Sequence, residues 1–194
     1  MQEDLILASA SPRRAAILKM LGFDFEVVPA NIEEGNDTAT NPAEHARALA
    51  REKARAIRRP QGLSIGADTI VVVAGRILGK PRSAAEAFAM LCDLRGRWHR
   101  VHTGIALHDL ATARGVDDVE TTSIRFHAWE DDVLRRYVDT GECDDKAGAY
   151  AIQGLGAMLV QEIRGCFYNV MGLPVERFIT LLREFRAPEV ERAG

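Results

Sequence analysis

Two arginines, Arg13 and Arg14, follow a run of small residues in "LASASPRR" (7–14), where hydropathy places the start of a helix. A helix N-terminus already carries roughly half a positive charge from its aligned peptide dipoles, so acidic residues are usual there. Helix amides joined by two guanidinium groups make a strong anion site, and Arg suits bidentate contact with phosphate. Taken alone, the pair reads more simply as surface side chains projecting into water. A second candidate is Asp68 in "LSIGADTIVVV". A carboxylate inside an apolar strand is costly unless paired or metal-bound. Strand alternation puts it with Ile70 and Val72, and Thr69 opposite. A bulge at Gly66 that turns Asp68 to solvent is an equal reading.

"GRILGKPRS" (75–83) has three residues between its glycines and Pro81 where a magnesium-binding Ser or Thr is needed, so it is not a Walker motif. Lys80, between Gly79 and Pro81, can still reach a phosphate as a point charge. In "DDKAGAYAIQGLG" (144–156) the glycines point to backbone packed close to a ligand or to a mobile surface loop. Gln153 there can read a base edge with paired donor and acceptor. Glu33, Glu34 and Asp68 are the oxygen donors that suit magnesium or manganese beside phosphates. The five histidines show no HExxH spacing, and His99 and His102 read as structural. No GxSxG elbow or Cys–His signature supports acyl chemistry.

These side chains need a frame. Leu5–Ala8 reads as a buried strand, followed by a helix from Pro12 to Leu21 with Ser11 as N-cap. Phe25–Val28 is a second strand, and Pro42 opens a helix running to Arg58. Leu63–Val73 is the most strand-like segment, turning at Ala74-Gly75 into Arg76–Leu78. Helices are expected over 84–94, 130–140 and 174–185. Paired strands are expected over 101–108 and 120–126, with further strands over 158–163 and 168–170. Alternating strands and helices predict a mixed α/β sheet in one domain over residues 1–194.

The chain has 194 residues, enough to bury roughly 70% of its unfolded surface without staples. Its net charge of −3 and pI near 6.0 argue against a nucleic-acid partner. Cys92, Cys143 and Cys166 form no CxxC pair, so reduced thiols in the cytoplasm are expected. The apolar run at Leu5–Ala8 follows Glu3 and Asp4 and is too short for a signal peptide, and no run reaches membrane-spanning length.

Together the segments "LASASPRR", "IEE" (32–34), "REKA" (51–54), "GADT" (66–69), "GKP" (79–81), "DKAGAY" (145–150), "IQG" (152–154) and "GLP" (172–174) resemble, in order, the Maf family of nucleoside triphosphate pyrophosphatases. The resemblance implies an elongated single α/β domain like that of the inosine triphosphate pyrophosphatases: a central mixed sheet flanked by helices, with the active site in a central cleft. It implies hydrolysis of a nucleoside triphosphate to monophosphate and pyrophosphate with a divalent metal, Mg2+ or Mn2+. Asp68 falls on the family's catalytic base and Glu33 on a metal partner, with Asp68 shared as a ligand. Lys53 and Lys80 should face the phosphates, and Ser9, Arg13 and Arg14 match the phosphate-gripping turn. One branch of the family acts on dTTP and UTP and carries SPRR, GADT and IQG. Arg13, Thr69 and Gln153 fall on that side, against the branch associated with 7-methyl-GTP. Ala74 stands where Asp or Asn is usual, which weakens the turn. Cys166 and Phe167 stand where Ser or Asp and Tyr are commoner, so no hydroxyl is available at 167.

The implied reaction is attack of water on the α-phosphorus, deprotonated by Asp68 directly or through a metal-bound hydroxide. Pyrophosphate departs against Lys53, Lys80 and the arginines. The competing expectation is a nucleotide-binding regulator of septum formation whose hydrolysis is incidental. Family members are often homodimers.

Overall fold

The computed structural model describes residues 4–32 and 41–187. Seven strands, β1 (Leu5–Leu7), β2 (Phe25–Val27), β3 (Leu63–Val73), β4 (Arg76–Leu78), β5 (Trp98–Asp109), β6 (Gly115–Phe126) and β7 (Val160–Arg164), form one sheet. Its order is β2-β1-β3-β5-β6-β7, with β4 paired to β3 alone. β1 runs parallel to both β2 and β3, whereas β3–β4 and β6–β7 are antiparallel, so the sheet is mixed as expected. The helices are α1 (Pro12–Met20), α2 (Pro42–Arg55), α3 (Ala84–Leu94), α4 (Asp131–Asp139), α5 (Phe167–Met171) and α6 (Val175–Arg186). Short 3-10 segments occupy Ala147–Ala149 and Gly154–Leu159.

Contacts divide the chain into two compact units. The first takes in the chain up to Asp68, Thr103–Glu120 and the chain from Gly172; the second takes in Thr69–His102 and Thr121–Met171. In the first, β1 has parallel neighbours on both sides and all three of its residues are buried, as a doubly covered strand requires. Leu7, Ile17, Leu18, Leu63, Ile65 and Phe178 are among its largest fully buried side chains. In the second, Phe126, Tyr150 and His99 meet edge to face, with ring centroids 4.8 to 5.4 Å apart.

Several elements differ from the sequence reading. α2 stops at Arg55, three residues short of the expected end, with Ala56 as its C-cap. The Arg58 guanidinium folds back to donate to the Arg55 carbonyl at 2.9 Å. β5 and β6 are longer than hydropathy indicates. Asp117 and Asp118, expected in the turn, lie within β6 and, with Glu120, pair with arginines: Asp117 with Arg47 and Arg51, and Asp118 and Glu120 with Arg177. The strand expected at 168–170 is the helix α5. Asn169 is fully buried there, donating from Nδ2 to the Val101 carbonyl at 3.0 Å and to Thr122 Oγ1 at 2.9 Å. Those tertiary bonds override the strand preference of Tyr and Val.

Candidate active site

In the first unit the site grows from the end of β1. Leu7 is in register with Ile65, and the Ala8 amide still donates to the Ile65 carbonyl at 2.9 Å. The chain then leaves the sheet through Ser9–Ser11 and enters α1 with Pro12 in its first turn. Ser11 is the N-cap by position, yet its side chain makes no capping bond. Ser9 Oγ shapes the turn instead, accepting from the Ser11 amide at 3.2 Å and from Arg14 Nη1 at 2.8 Å. Arg14 Nε donates to the Gly172 carbonyl at 2.8 Å, and the residue is only 9% exposed. Arg14 therefore fixes the turn by a two-point hold, a geometry Lys cannot reproduce. Arg13 beside it is half-buried.

On the neighbouring strand, Asp68 lies three residues beyond Ile65, at the same end of the parallel section. It is buried, and Oδ1 accepts from Lys53 Nζ at 2.5 Å. Lys53 comes from α2, which lies directly on the sheet. A Cβ at Gly66 would sit 2.1 Å from the Ala50 carbonyl oxygen and 2.6 Å from the Ala54 nitrogen; one at Gly104 would sit 2.2 Å from the Ala46 carbonyl oxygen. Glycine on the strands and Ala46, Ala50 and Ala54 along one helix face let the backbones touch. Gly66 is thus a seat for α2 rather than a bulge that exposes Asp68. Asn41 caps the helix by accepting from the Ala43 amide at 3.1 Å, and Arg47 and Arg51 clamp it to Asp117.

In the second unit, Thr69 is half-buried, next in the chain to Asp68. Lys80 is exposed, on a segment held by the Gly148 amide donating to the Gly79 carbonyl at 3.0 Å. Gly148, at φ +71°, leaves only 3.0 Å between its absent Cβ and Val71 Cγ1. The Gly148–Gly79 hydrogen bond ties "GKP" to "DKAGAY". Gln153 is exposed at the head of the Gly154–Leu159 turn. The structure thus pairs Ser9 with Arg14 and Lys53 with Asp68, and places Thr69, Lys80 and Gln153 in the other unit. Glu33 and Glu34 lie outside the described residues.

His99 and His102 are both buried with hydroxyl partners, Tyr150 Oη at 2.9 Å and Thr121 Oγ1 at 2.8 Å. Among the described residues no cluster of three or more His, Cys, Asp or Glu side chains is placed to hold a metal, and no helix is long and apolar enough to cross a membrane. The glycines of the late loop pack against this chain's own side chains. A Cβ at Gly154 would meet Glu142 Oε2 at 2.5 Å, and one at Gly156 would meet Tyr137 Oη at 2.7 Å. Sequence reading passes over Glu142 and Tyr137, which stand 12 and 17 residues before Gly154 and carry no local signal of the contact.

A parallel β–turn–helix unit with a buried carboxylate–ammonium pair on the adjacent strand defines an α/β protein whose candidate site lies at the carboxyl end of its parallel strands, where such sheets bind ligands. The model of the family described as Maf-like protein matches residues 4–185, and the chain belongs to the Maf family. It is 45% identical over 183 residues to a dTTP/UTP pyrophosphatase of Desulforamulus reducens, covering 93% of this chain and 96% of that one. It is 46% identical over 184 residues to a dTTP/UTP pyrophosphatase of Syntrophus aciditrophicus, covering 94% and 90%. Among solved structures, a HAM1 protein from Coxiella burnetii matches at 17% identity and a TM-score of 0.44, over 66% of this chain and 74% of that chain.

Proposed function

We propose that this protein hydrolyses dTTP and UTP to the monophosphate and pyrophosphate. The observation that carries the reading is the buried Lys53–Asp68 pair beside the Ser9–Arg14 turn; the names of the relatives supply the substrate class. Lys53 holds Asp68 Oδ1, which directs Oδ2 to take a proton from the attacking water. The water oxygen bonds to the α-phosphorus, the α–β bridging bond breaks, and pyrophosphate leaves with the bonding electrons. Lys53, Lys80 and Arg13 offset the charge on the leaving group, and the α1 amides add to it. Arg14 contributes chiefly by fixing the turn.

The donor set fits magnesium or manganese, which need one or two carboxylates while substrate phosphates and water supply the remaining oxygens. Asp68, with Glu33, would hold the ion, whose chemistry when bound is to neutralise phosphate charge. Thr69 and Gln153 select the pyrimidine base. The protein works in the cytoplasm, as a homodimer, on standard or modified pyrimidine nucleotides.

The test is purified protein with dTTP, UTP and 7-methyl-GTP plus magnesium or manganese, with pyrophosphate and orthophosphate measured separately. Pyrophosphate as the first product from dTTP and UTP supports the reading. Orthophosphate as the first product overturns the mechanism, and a preference for 7-methyl-GTP overturns the substrate assignment. Saturable binding without product would favour the regulator of septum formation.

A further inference from the structure

The backbone on either side of Gln153 is anchored, and both anchors lead to one pair of side chains. Upstream, the Ala151 amide donates to Tyr137 Oη at 3.1 Å. Downstream, the Leu155 amide donates to Glu142 Oε2 at 3.0 Å and the Gly156 amide to Oε1 at 2.8 Å. The Tyr137 hydroxyl donates to Glu142 Oε1 at 3.2 Å, closing the ring. Burial pushes the Tyr137 phenol up from its ordinary value, so it remains a proton donor at neutral pH.

The clamp is rigid at its base. Tyr137 lies on α4, and Thr140 at that helix's end donates from Oγ1 to the Tyr137 carbonyl at 2.6 Å while accepting from the Glu142 amide at 3.2 Å. The loop is shaped to fit: Gly154, at φ +66°, and Gly156 wrap so closely that a Cβ on either would strike Glu142, Tyr137 or the Ala151 carbonyl oxygen. Only Ile152, Gln153 and Gly154 lie between the anchored amides, and Gln153 is exposed. An amide side chain discriminates a base edge more sharply when its backbone is fixed in advance, because less ordering has to be done on binding.

We infer that Glu142, with Tyr137 behind it, is a positioning residue for Gln153, holding that amide in place to select the pyrimidine edge. The inference rests on the pyrimidine-nucleotide reading above. Glu142→Gln places an amide NH2 against one of two backbone donors, and Tyr137→Phe removes the upstream anchor. For Glu142→Gln, the ratio of kcat/KM for UTP over GTP should fall about tenfold, chiefly through KM. Hydrogen exchange at the Leu155 and Gly156 amides should accelerate by about tenfold or more. In a Gln153→Ala background the same substitution should change the ratio no further.

Unchanged selectivity, unchanged exchange, an equal loss of kcat for both nucleotides, or a full effect without Gln153 would each overturn the inference. Should Glu142→Gln fail to fold, Tyr137→Phe is judged by the same ratio and by exchange at Ala151. A wild-type protein that releases no pyrophosphate would defeat the functional reading, while the exchange measurement would still decide whether the clamp exists.

Discussion

Lys53 Nζ lies 2.5 Å from Asp68 Oδ1, with side chains only 11% and 9% exposed. At that depth each charge depends on the other, since water no longer solvates either one. Lys53→Met should therefore cost about 3–5 kcal/mol by leaving a buried carboxylate uncompensated. Thermal melts would show a fall of about 10 °C in Tm. The double variant Lys53→Met/Asp68→Leu should recover most of that stability while pyrophosphate release stays at least about a hundredfold down. A double variant whose loss equals the sum of the two single losses would show that the pair is not energetically coupled.

The seat of α2 gives a second expectation. Gly66→Ala should destabilise by about 1–3 kcal/mol or more, because the added methyl meets helix backbone rather than a side chain that can swing away. Gly79→Ala, with open space around its Cβ position, is the control and should stay within about 0.5 kcal/mol of wild type. Urea unfolding of the two variants side by side checks the contrast.

Arg13 and Arg14 should separate in their effects. Arg14→Lys loses the two-point hold on Gly172 and Ser9 and should lower both Tm and kcat/KM, at about 1.5–3 kcal/mol for the buried charged hydrogen bonds. Arg13→Trp should leave Tm within a few degrees and shift nucleotide preference. Equal effects at both positions would contradict this division.

The β3–β4 turn carries a correctable strain. Ala74 and Gly75 sit at φ +49° and +79°, the left-handed pair of a two-residue hairpin turn. Asn tolerates that region better than Ala. Ala74→Asn should add about 0.5–1 kcal/mol and raise Tm by about 2–4 °C without altering turnover.

His99 sets a pH dependence. Burial lowers its pKa from 6.5 to about 4, with only partial opposition from a backbone hydrogen bond at Arg97. Below pH 6.5 the unfolded chain takes up a proton that the folded protein refuses. Stability is therefore full above about pH 6.5 and declines as the pH falls toward 4, by about 3 kcal/mol in all. His102 and His108, also lowered by burial, act in the same direction. His99→Phe should flatten the decline between pH 6.5 and 4 in equilibrium unfolding, leaving the smaller slope due to the other two.

What can be read from the sequence divides along physical lines. The β3–β4 hairpin, α3 and the helix starts at Pro12 and Pro42 rest on local signals: alternation, turn residues, proline and a capping Asn. α5 was expected as a strand because Tyr168 and Val170 favour one locally, while the bonds of Asn169 to Val101 and Thr122 cross at least 47 residues of sequence. Asp68 stands out as a carboxylate in an apolar strand, but its partner is unreadable until α2 is seated on Gly66. The glycines at 154 and 156 announce a close approach without saying to what. Arg14 shows the same limit: the sequence gives its charge, and only the fold reveals that Gly172 and Ser9 hold it.

That hold spans 158 residues of chain. A nascent chain emerging from the ribosome can form β1, the serine turn and α1 early, since all their local signals are present. Arg14 has only its local bond to Ser9 until Gly172 has been made. The two-point hold on Arg14 is therefore completed only after Gly172 has been made, and a shorter nascent chain lacks the finished geometry of the turn.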